Sequence, residues 1–285
     1  MSRTNIPYLP GFTVKPAAIS TLGVVSFTDG TYEIIPNQLQ CESYGYTYNQ
    51  AEGTCSIFRY NINLNAAVAN ENNKTYGAGN STQTGTNNTI IMGENNTVRG
   101  NSRNSIITGS SNEIANGIDN VMVSGTLAEA TALGSVVLGG NTEGDILGER
   151  QSIRCMYGAQ TVTSTTVAAG LSNVINSRLV IPDNTIVYFH ADTLVVRTGG
   201  SNSSGAVGDY GSYVERGVII NKSGTLTIQR ERDTIKTSGV VTNWRILAAV
   251  GAGNTLSFTC RGQTTMKLEW CMNVSITQIK TGVTL

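Results

Sequence analysis

Between Asn87 and Gly139 the apolar residues fall into four tandem segments that each close on glycine. They read Asn87-Asn-Thr-Ile-Ile-Met-Gly93, Arg103-Asn-Ser-Ile-Ile-Thr-Gly109, Asp119-Asn-Val-Met-Val-Ser-Gly125 and Leu133-Gly-Ser-Val-Val-Leu-Gly139. A weaker set, Val98, Ile114, Ala130 and Ile146, lies between them, each sixteen residues after the last. A fixed period of this length predicts a stacked coil with two short strands per rung. At the last main-arm segment the spacing slips from sixteen to fourteen. The closing glycine predicts a corner with positive φ or close backbone passage. The Asn-Asn, Asn-Ser and Asp-Asn pairs before each strand are turn formers that tolerate left-handed geometry.

The columns of the main arm carry the functional expectation. Ile90, Ile106, Met122 and Val136 form one column; Ile91, Ile107, Val123 and Val137 form the next. Neighbouring strand positions point to opposite faces. Both faces of this arm are therefore apolar, and a thin coil covers only its inner one. The outer column needs another surface, and identical neighbouring chains are the simplest source. The second arm has one reliably apolar column, as a face in water requires. The pattern implies a parallel homo-oligomer, most simply three-fold.

The segment Asn104-Ser-Ile-Ile-Thr-Gly-Ser-Ser-Asn-Glu-Ile-Ala-Asn-Gly117 resembles the head repeat of trimeric autotransporter adhesins of the YadA type. The resemblance runs from about Asn80 to Gly148. It implies a left-handed parallel β-roll packed as a trimer, a module that recurs in tail and head fibres of tailed phages. The N-terminus, Met1-Ser-Arg-Thr-Asn-Ile-Pro-Tyr-Leu-Pro10, shows no apolar signal core. That departs from the adhesins and favours a phage protein made in the host cytoplasm and carried on the virion.

Outside the repeat the pattern changes. Residues 1–80 are broken by Pro7, Pro10, Pro16 and Pro36. Leu22–Phe27, an Asp29-Gly30 turn and Tyr32–Ile35 predict a hairpin. Tyr44, Tyr46 and Tyr48 alternate along a strand, either as a sticky aromatic patch or as an edge packed within its own domain. Phe58-Arg-Tyr60 leads into an Asn-rich linker. Residues 149–180 show no clear period and are expected as a transition that caps the coil. From Ile181 seven short strand candidates separated by Gly-rich turns predict an antiparallel sandwich or jelly roll, with Trp244 and Trp270 in its core. The expected chain is thus all-β, with an N-terminal docking region (1–80), a β-roll shaft (81–148), a transition (149–180) and a C-terminal sandwich knob (181–285).

Composition narrows the function further. Net charge is zero and charged residues are 13% of the chain, about half the usual share. Thirteen asparagines fall within residues 61–110, a surface chemistry that suits side-chain ladders. No basic face is available for nucleic acid, and no stretch is apolar enough to span a bilayer. The odd count of five cysteines suits reduced thiols, although Cys41/Cys55 and Cys260/Cys271 are each spaced to close a hairpin.

Chemistry-bearing residues are sparse. The single histidine, His190, sits in an apolar strand and is expected to be structural. Asp183, Asp192 and Asp209 flank nearby loops, and Tyr188, Tyr210 and Asn202 are candidate sugar contacts with an ordinary packing role as the alternative. No catalytic, cofactor or metal residue is assigned, and the chain is expected not to be an enzyme. The sequence points to a homotrimeric fibre or spike. Its N-terminal region would meet other virion proteins, and its knob a host glycan or protein. The alternatives are a capsid or baseplate decoration protein, a polysaccharide depolymerase and a bacterial adhesin passenger.

Overall fold

A computed structural model describes residues 14–20, 23–50, 52–56, 72–142, 145–238 and 243–282. The chain divides into two units, Met1–Val68 and Ala69–Leu285.

In the first unit β1 (Lys15–Ile19), β2 (Val25–Thr28) and β3 (Glu33–Ile34) form an antiparallel sheet. Asp29 shapes the β2–β3 turn, its Oδ1 accepting from the Thr31 and Tyr32 N–H groups at 2.8 Å. A short helix, α1 (Gln38–Ser43), was not legible in the sequence. It starts on a reciprocal capping box between Asn37 and Gln40. β4 (Thr47–Asn49) and β5 (Thr54–Ser56) pair antiparallel. Phe27 is fully buried, with Tyr44 and Tyr46 edge-on to it at 5.9 and 6.3 Å. Tyr48 packs on the same cluster. The three tyrosines therefore wall their own small core. Pro7, Pro10 and Phe58-Arg-Tyr60 lie outside the described residues.

Cys41 of α1 and Cys55 of β5 form a disulfide, which corrects the expectation of reduced thiols for this pair. Among the described residues this core holds five buried apolar side chains, and a small core gains stability from a covalent staple. Reduction is expected to cost this unit about 3 kcal/mol. Thermal scans with and without dithiothreitol check this: the transition of this unit should move down, and an unmoved transition would contradict the argument.

The second unit begins with the coil. β6 (Lys74–Tyr76), β7 (Ser81–Thr82), β8 (Ile90–Glu94), β9 (Thr97–Val98), β10 (Ile106–Ser110), β11 (Glu113–Ile114), β12 (Met122–Thr126), β13 (Glu129–Ala130) and β14 (Val136–Gly139) alternate between two parallel sheets. Together they make a parallel β-solenoid. The main arm holds β6, β8, β10, β12 and β14 in register, with Ile106 opposite Ile90 and Met122, and Met122 opposite Val136. The slip to fourteen residues is absorbed between strands and leaves the register intact. The arm starts one strand earlier than the four segments predict, because Lys74-Thr-Tyr76 pairs with Ile90-Ile-Met92. The second arm ends at Ala130. Ile146, expected as its next member, is exposed, because the chain leaves the coil after Gly139-Gly140. It folds there into a loop that Asn141 holds by donating to the Ile146 carbonyl.

The remainder is antiparallel. It comprises β15 (Arg150–Thr161), β16 (Thr166–Ala168), β17 (Gly170–Leu171), β18 (Leu179–Val180), β19 (Thr185–Gly199), β20 (Tyr210–Lys222), β21 (Thr225–Thr237), β22 (Arg245–Gly251), β23 (Thr255–Arg261) and β24 (Lys267–Lys280). β15 occupies the stretch expected as a transition, and the two strands expected within 184–197 are one, β19. β15 pairs with β14 on one side and β24 on the other. The coil's main arm therefore continues into one eleven-stranded sheet, in the order β21-β20-β19-β24-β15-β14-β12-β10-β8-β6 with β17 off its path. A smaller sheet, β16-β23-β18 with β22 on β23, shares a core with it. Phe258 of the small sheet meets Tyr157 and Phe189 of the large one at 5.0 and 6.1 Å. The Tyr157 hydroxyl donates to the Leu256 carbonyl and accepts from the Leu179 N–H. Trp244 and Trp270 are both buried.

Candidate functional site

The large sheet has one sealed face and one open face. On the sealed side Ile91, Ile107, Val123 and Val137 have no solvent exposure, and Val137 pairs with Ile153 of β15, which is also buried. On the open side Ile106, Met122 and Val136 are 39%, 48% and 39% exposed. Both apolar columns read from the sequence therefore exist, and only the inner one is covered within the chain. A contiguous exposed apolar column marks an interaction surface.

The candidate residues of the C-terminal region separate. Tyr188, His190 and Asp192 alternate on the open face of β19. His190 is half-buried there, and its Nε2 lies 3.1 Å from an Asp192 carboxylate oxygen. Across the sheet His190 pairs with Arg216. The Arg216 guanidinium reaches Glu231 and Asp233 of β21, each at 3.3 Å. Tyr188 borders this charged belt in an open groove of about 450 Å³ shared with Arg216, Val218 and Gln229. The belt was not read from the sequence. Residues two apart on a strand share a face, which links His190 to Asp192 but says nothing of Arg216, Glu231 or Asp233.

The other candidates fulfil structural roles elsewhere. Asp183 accepts from the Asn221 amide at 3.2 Å. Asp209 accepts from the Ala206 N–H and the Ser238 hydroxyl. These two acids stand at opposite ends of β20, about 40 Å apart at the strand rise, so they form no pair. Asn202 and the loop around it wrap the guanidinium of Arg197. That group is buried, and it donates to the carbonyls of Gly199, Gly200, Asn202 and Ser204. Tyr210 starts β20 beside that loop, remote from Tyr188 along the same hairpin. Cys260 is buried and Cys271 exposed, so the two do not pair. Among the described residues no three His, Cys, Asp or Glu side chains come together as a metal cluster, and no helix is long and apolar enough to cross a membrane.

One buried acid lies inside the C-terminal core. The Glu215 side chain has no exposure, and its Oε2 lies 3.6 Å from Arg230 and accepts weakly from the Ala248 N–H at 3.4 Å. Its other oxygen has no partner. Burial pushes its pKa up, against the pull of the Ala248 N–H, Arg230 and Arg232. A carboxyl with a raised folded value holds its proton more tightly folded than unfolded. Its contribution is present below the ordinary carboxylate range and is lost as pH rises through the folded value. Glu215→Gln is expected to remove that slope. Calorimetry of both proteins at pH 5 and pH 8 checks this, and parallel pH profiles would refute it.

No family model matches the chain, and no curated protein matches it. Among solved structures it is similar to the tailspike protein of Acinetobacter baumannii phage AM24, with 8% identity and a TM-score of 0.29 over 75% of this chain and 50% of that one. It is also similar to the tailspike of Acinetobacter baumannii bacteriophage Fri1, with 8% identity and a TM-score of 0.23 over 72% of this chain and 49% of that one. The chain thus spans about half the length of these tailspikes. Overlaps this loose give no residue of this chain a role. The Fri1 protein is described as a capsular polysaccharide depolymerase, and the expectation that this chain is not an enzyme is corrected on that finding.

Proposed function

We propose that this chain is part of a homotrimeric fibre or spike of a tailed-phage virion that attaches without covalent chemistry to the host surface. The observation that carries the reading is the doubly apolar main arm, sealed inside at Ile107 and Val123 and open outside at Ile106 and Met122. Three parallel copies packed along that column would bury it. Residues 1–80 would dock on other virion proteins, the coil would serve as a shaft of about 20 Å, and the C-terminal lobes would meet a host glycan or protein. The adhesin-like and phage-fibre resemblance of residues 80–148 supports the left-handed roll and the virion setting.

Light scattering of the full chain should give about three times 30.2 kDa. Ile106→Asp should give a folded monomer that binds host cells on the order of 100-fold more weakly, because avidity from linked copies is lost. A wild-type monomer, or a variant that binds as well as the parent, would overturn the reading. The description of the Fri1 tailspike favours a second reading, cleavage of host capsular polysaccharide. Release of reducing ends from that polysaccharide by the purified full chain would support it. Retained binding without release would leave attachment alone.

A further inference from the structure

The open apolar face does not stop where the coil ends. β14 and β15 are hydrogen-bonded neighbours, with Val136 opposite Arg154 and Leu138 opposite Ser152. Paired residues share a face, so the coil's outer face continues onto β15, β24 and β19, where the row in register with Val136 turns polar through Arg154, Ser275, His190 and Arg216 and apolar residues flank it on either side. On that continuation Met156, Ile186, Tyr188, Leu194 and Ile279 are 55%, 39%, 46%, 51% and 52% exposed. Ile279 lies opposite Ile186, and Ile186 opposite Ile220, so an apolar run crosses the three strands β24, β19 and β20 and ends at Arg150 on β15. The opposite face of the same strands is sealed in the core.

We propose that the whole open face of the eleven-stranded sheet, through the C-terminal strands as well as the coil, is the surface on which a second copy of this chain packs. The inference rests on the homo-oligomer reading above and extends it to the C-terminal region. Three observations favour an identical copy as the occupant. The first is continuity, since copies that meet along the coil column bring their C-terminal faces together on the same sheet. The second is charge. Within the belt Arg216 lies between the carboxylates of Glu231 and Asp233, His190 lies against Asp192, and Arg154 stands on the same row. A face that mixes both signs sets no single-sign field against its own copy, whereas nucleic acid or an anionic membrane calls for a cationic one. The third is size. Ten strands at the usual spacing and rise present on the order of 1,300 Å², above the roughly 800 Å² per partner of a standard interface. Apolar rims around a paired polar belt also set register, since a slipped copy would leave the belt unpaired against apolar side chains. Host contact would then fall to the smaller sheet and the loops at its ends.

The chain carries its own probe. Cys271 is exposed on the open face, opposite Leu194. Cys41 and Cys55 are bridged, while Cys155 and Cys260 are buried with thiols pushed up to about 12. A polyethylene-glycol maleimide too large to enter a groove therefore reports on Cys271. In the native full chain its labelling should be at least about tenfold slower than that of a free thiol peptide, because access controls thiol reaction. Leu194→Glu should restore fast labelling and lower the solution mass. Val250→Glu, on the smaller sheet, should change neither. An oligomer whose Cys271 labels at the free rate would overturn this inference and leave the coil-packed oligomer standing. A wild-type monomer would overturn both. Dissociation by Val250→Glu would also overturn it, since the loss would then not be specific to this face. The wild-type labelling rate decides the matter even if a variant misfolds.

Discussion

Gly109→Ala is expected to unfold the coil around its third main-arm strand. A β-carbon at this position would lie 2.0 Å from the Gly125 carbonyl oxygen of the next rung. The clash is with backbone, so no side-chain rotation relieves it. The backbone also sits at φ +103°, a region that L-residues avoid at about 1–3 kcal/mol each. Strain and clash together should cost more than about 4 kcal/mol, the range reserved for severe lesions. The same geometry recurs at Gly77, Gly93 and Gly125, each of which would meet the glycine of the following rung. Gly117→Ala is the control: it has positive φ but nothing within 4 Å, and it should cost about 1–2 kcal/mol. Chemical denaturation of both variants, followed by circular dichroism, decides between the two causes. Equal losses would mean that φ alone, and not close rung-to-rung passage, dictates glycine.

That corner was legible because its signal is categorical. Glycine at a fixed interval beside two apolar columns has few structural meanings, and the columns came out in register. The signal failed where burial is not written in large apolar residues. β15 buries Gln151, Ile153, Cys155, Tyr157, Ala159 and Thr161 on one face. The period of two is present, but Met156 falls on the exposed phase, and Gln151, Cys155, Ala159 and Thr161 dilute Ile153 and Tyr157 on the buried one. A search for alternating hydrophobics therefore sees no strand. Its buried face is set by tertiary pairing with β24. The charged belt failed for a related reason: Arg216 and its two acids lie on different strands, and a sequence does not display cross-strand neighbours until register is known. Glu215 is hidden in the same way, since its arginines come from β21.

The coil interior also hides a polar device, and removing one member should show it. Asn112 is buried, and its side chain bridges three rungs. Its Nδ2 donates to the Gly125 carbonyl at 2.8 Å, the Thr108 carbonyl at 2.9 Å and the Asn96 side-chain oxygen at 3.1 Å. Its Oδ1 accepts from the Ala128 N–H at 2.8 Å. Asn96 makes the same contacts one rung earlier, taking its own support from Asn80. The ladder thus satisfies backbone groups at corners where the chain turns and no strand partner is available. Asn112→Ala would leave the buried Ala128 N–H and the half-buried Gly125 carbonyl without these bonds, and each such group costs about 1–3 kcal/mol. A loss of about 3–4 kcal/mol is expected. Asn104 belongs to a second ladder on the exposed corner, joined to Asn88 and Asn120. Water replaces its bonds there, so Asn104→Ala should cost about 1 kcal/mol, mostly from its left-handed backbone. Similar losses in the two variants, measured by urea unfolding of the full chain, would refute a special role for the inner ladder. The buried ladder ends at Ala128, which accepts nothing through its side chain. The coil gives way within two strands to the antiparallel pairing of β14 with β15. Termination is thus encoded by loss of the asparagine while the apolar columns persist. That also explains why both apolar columns reach Val136 and Val137 with no sign that the solenoid is about to end.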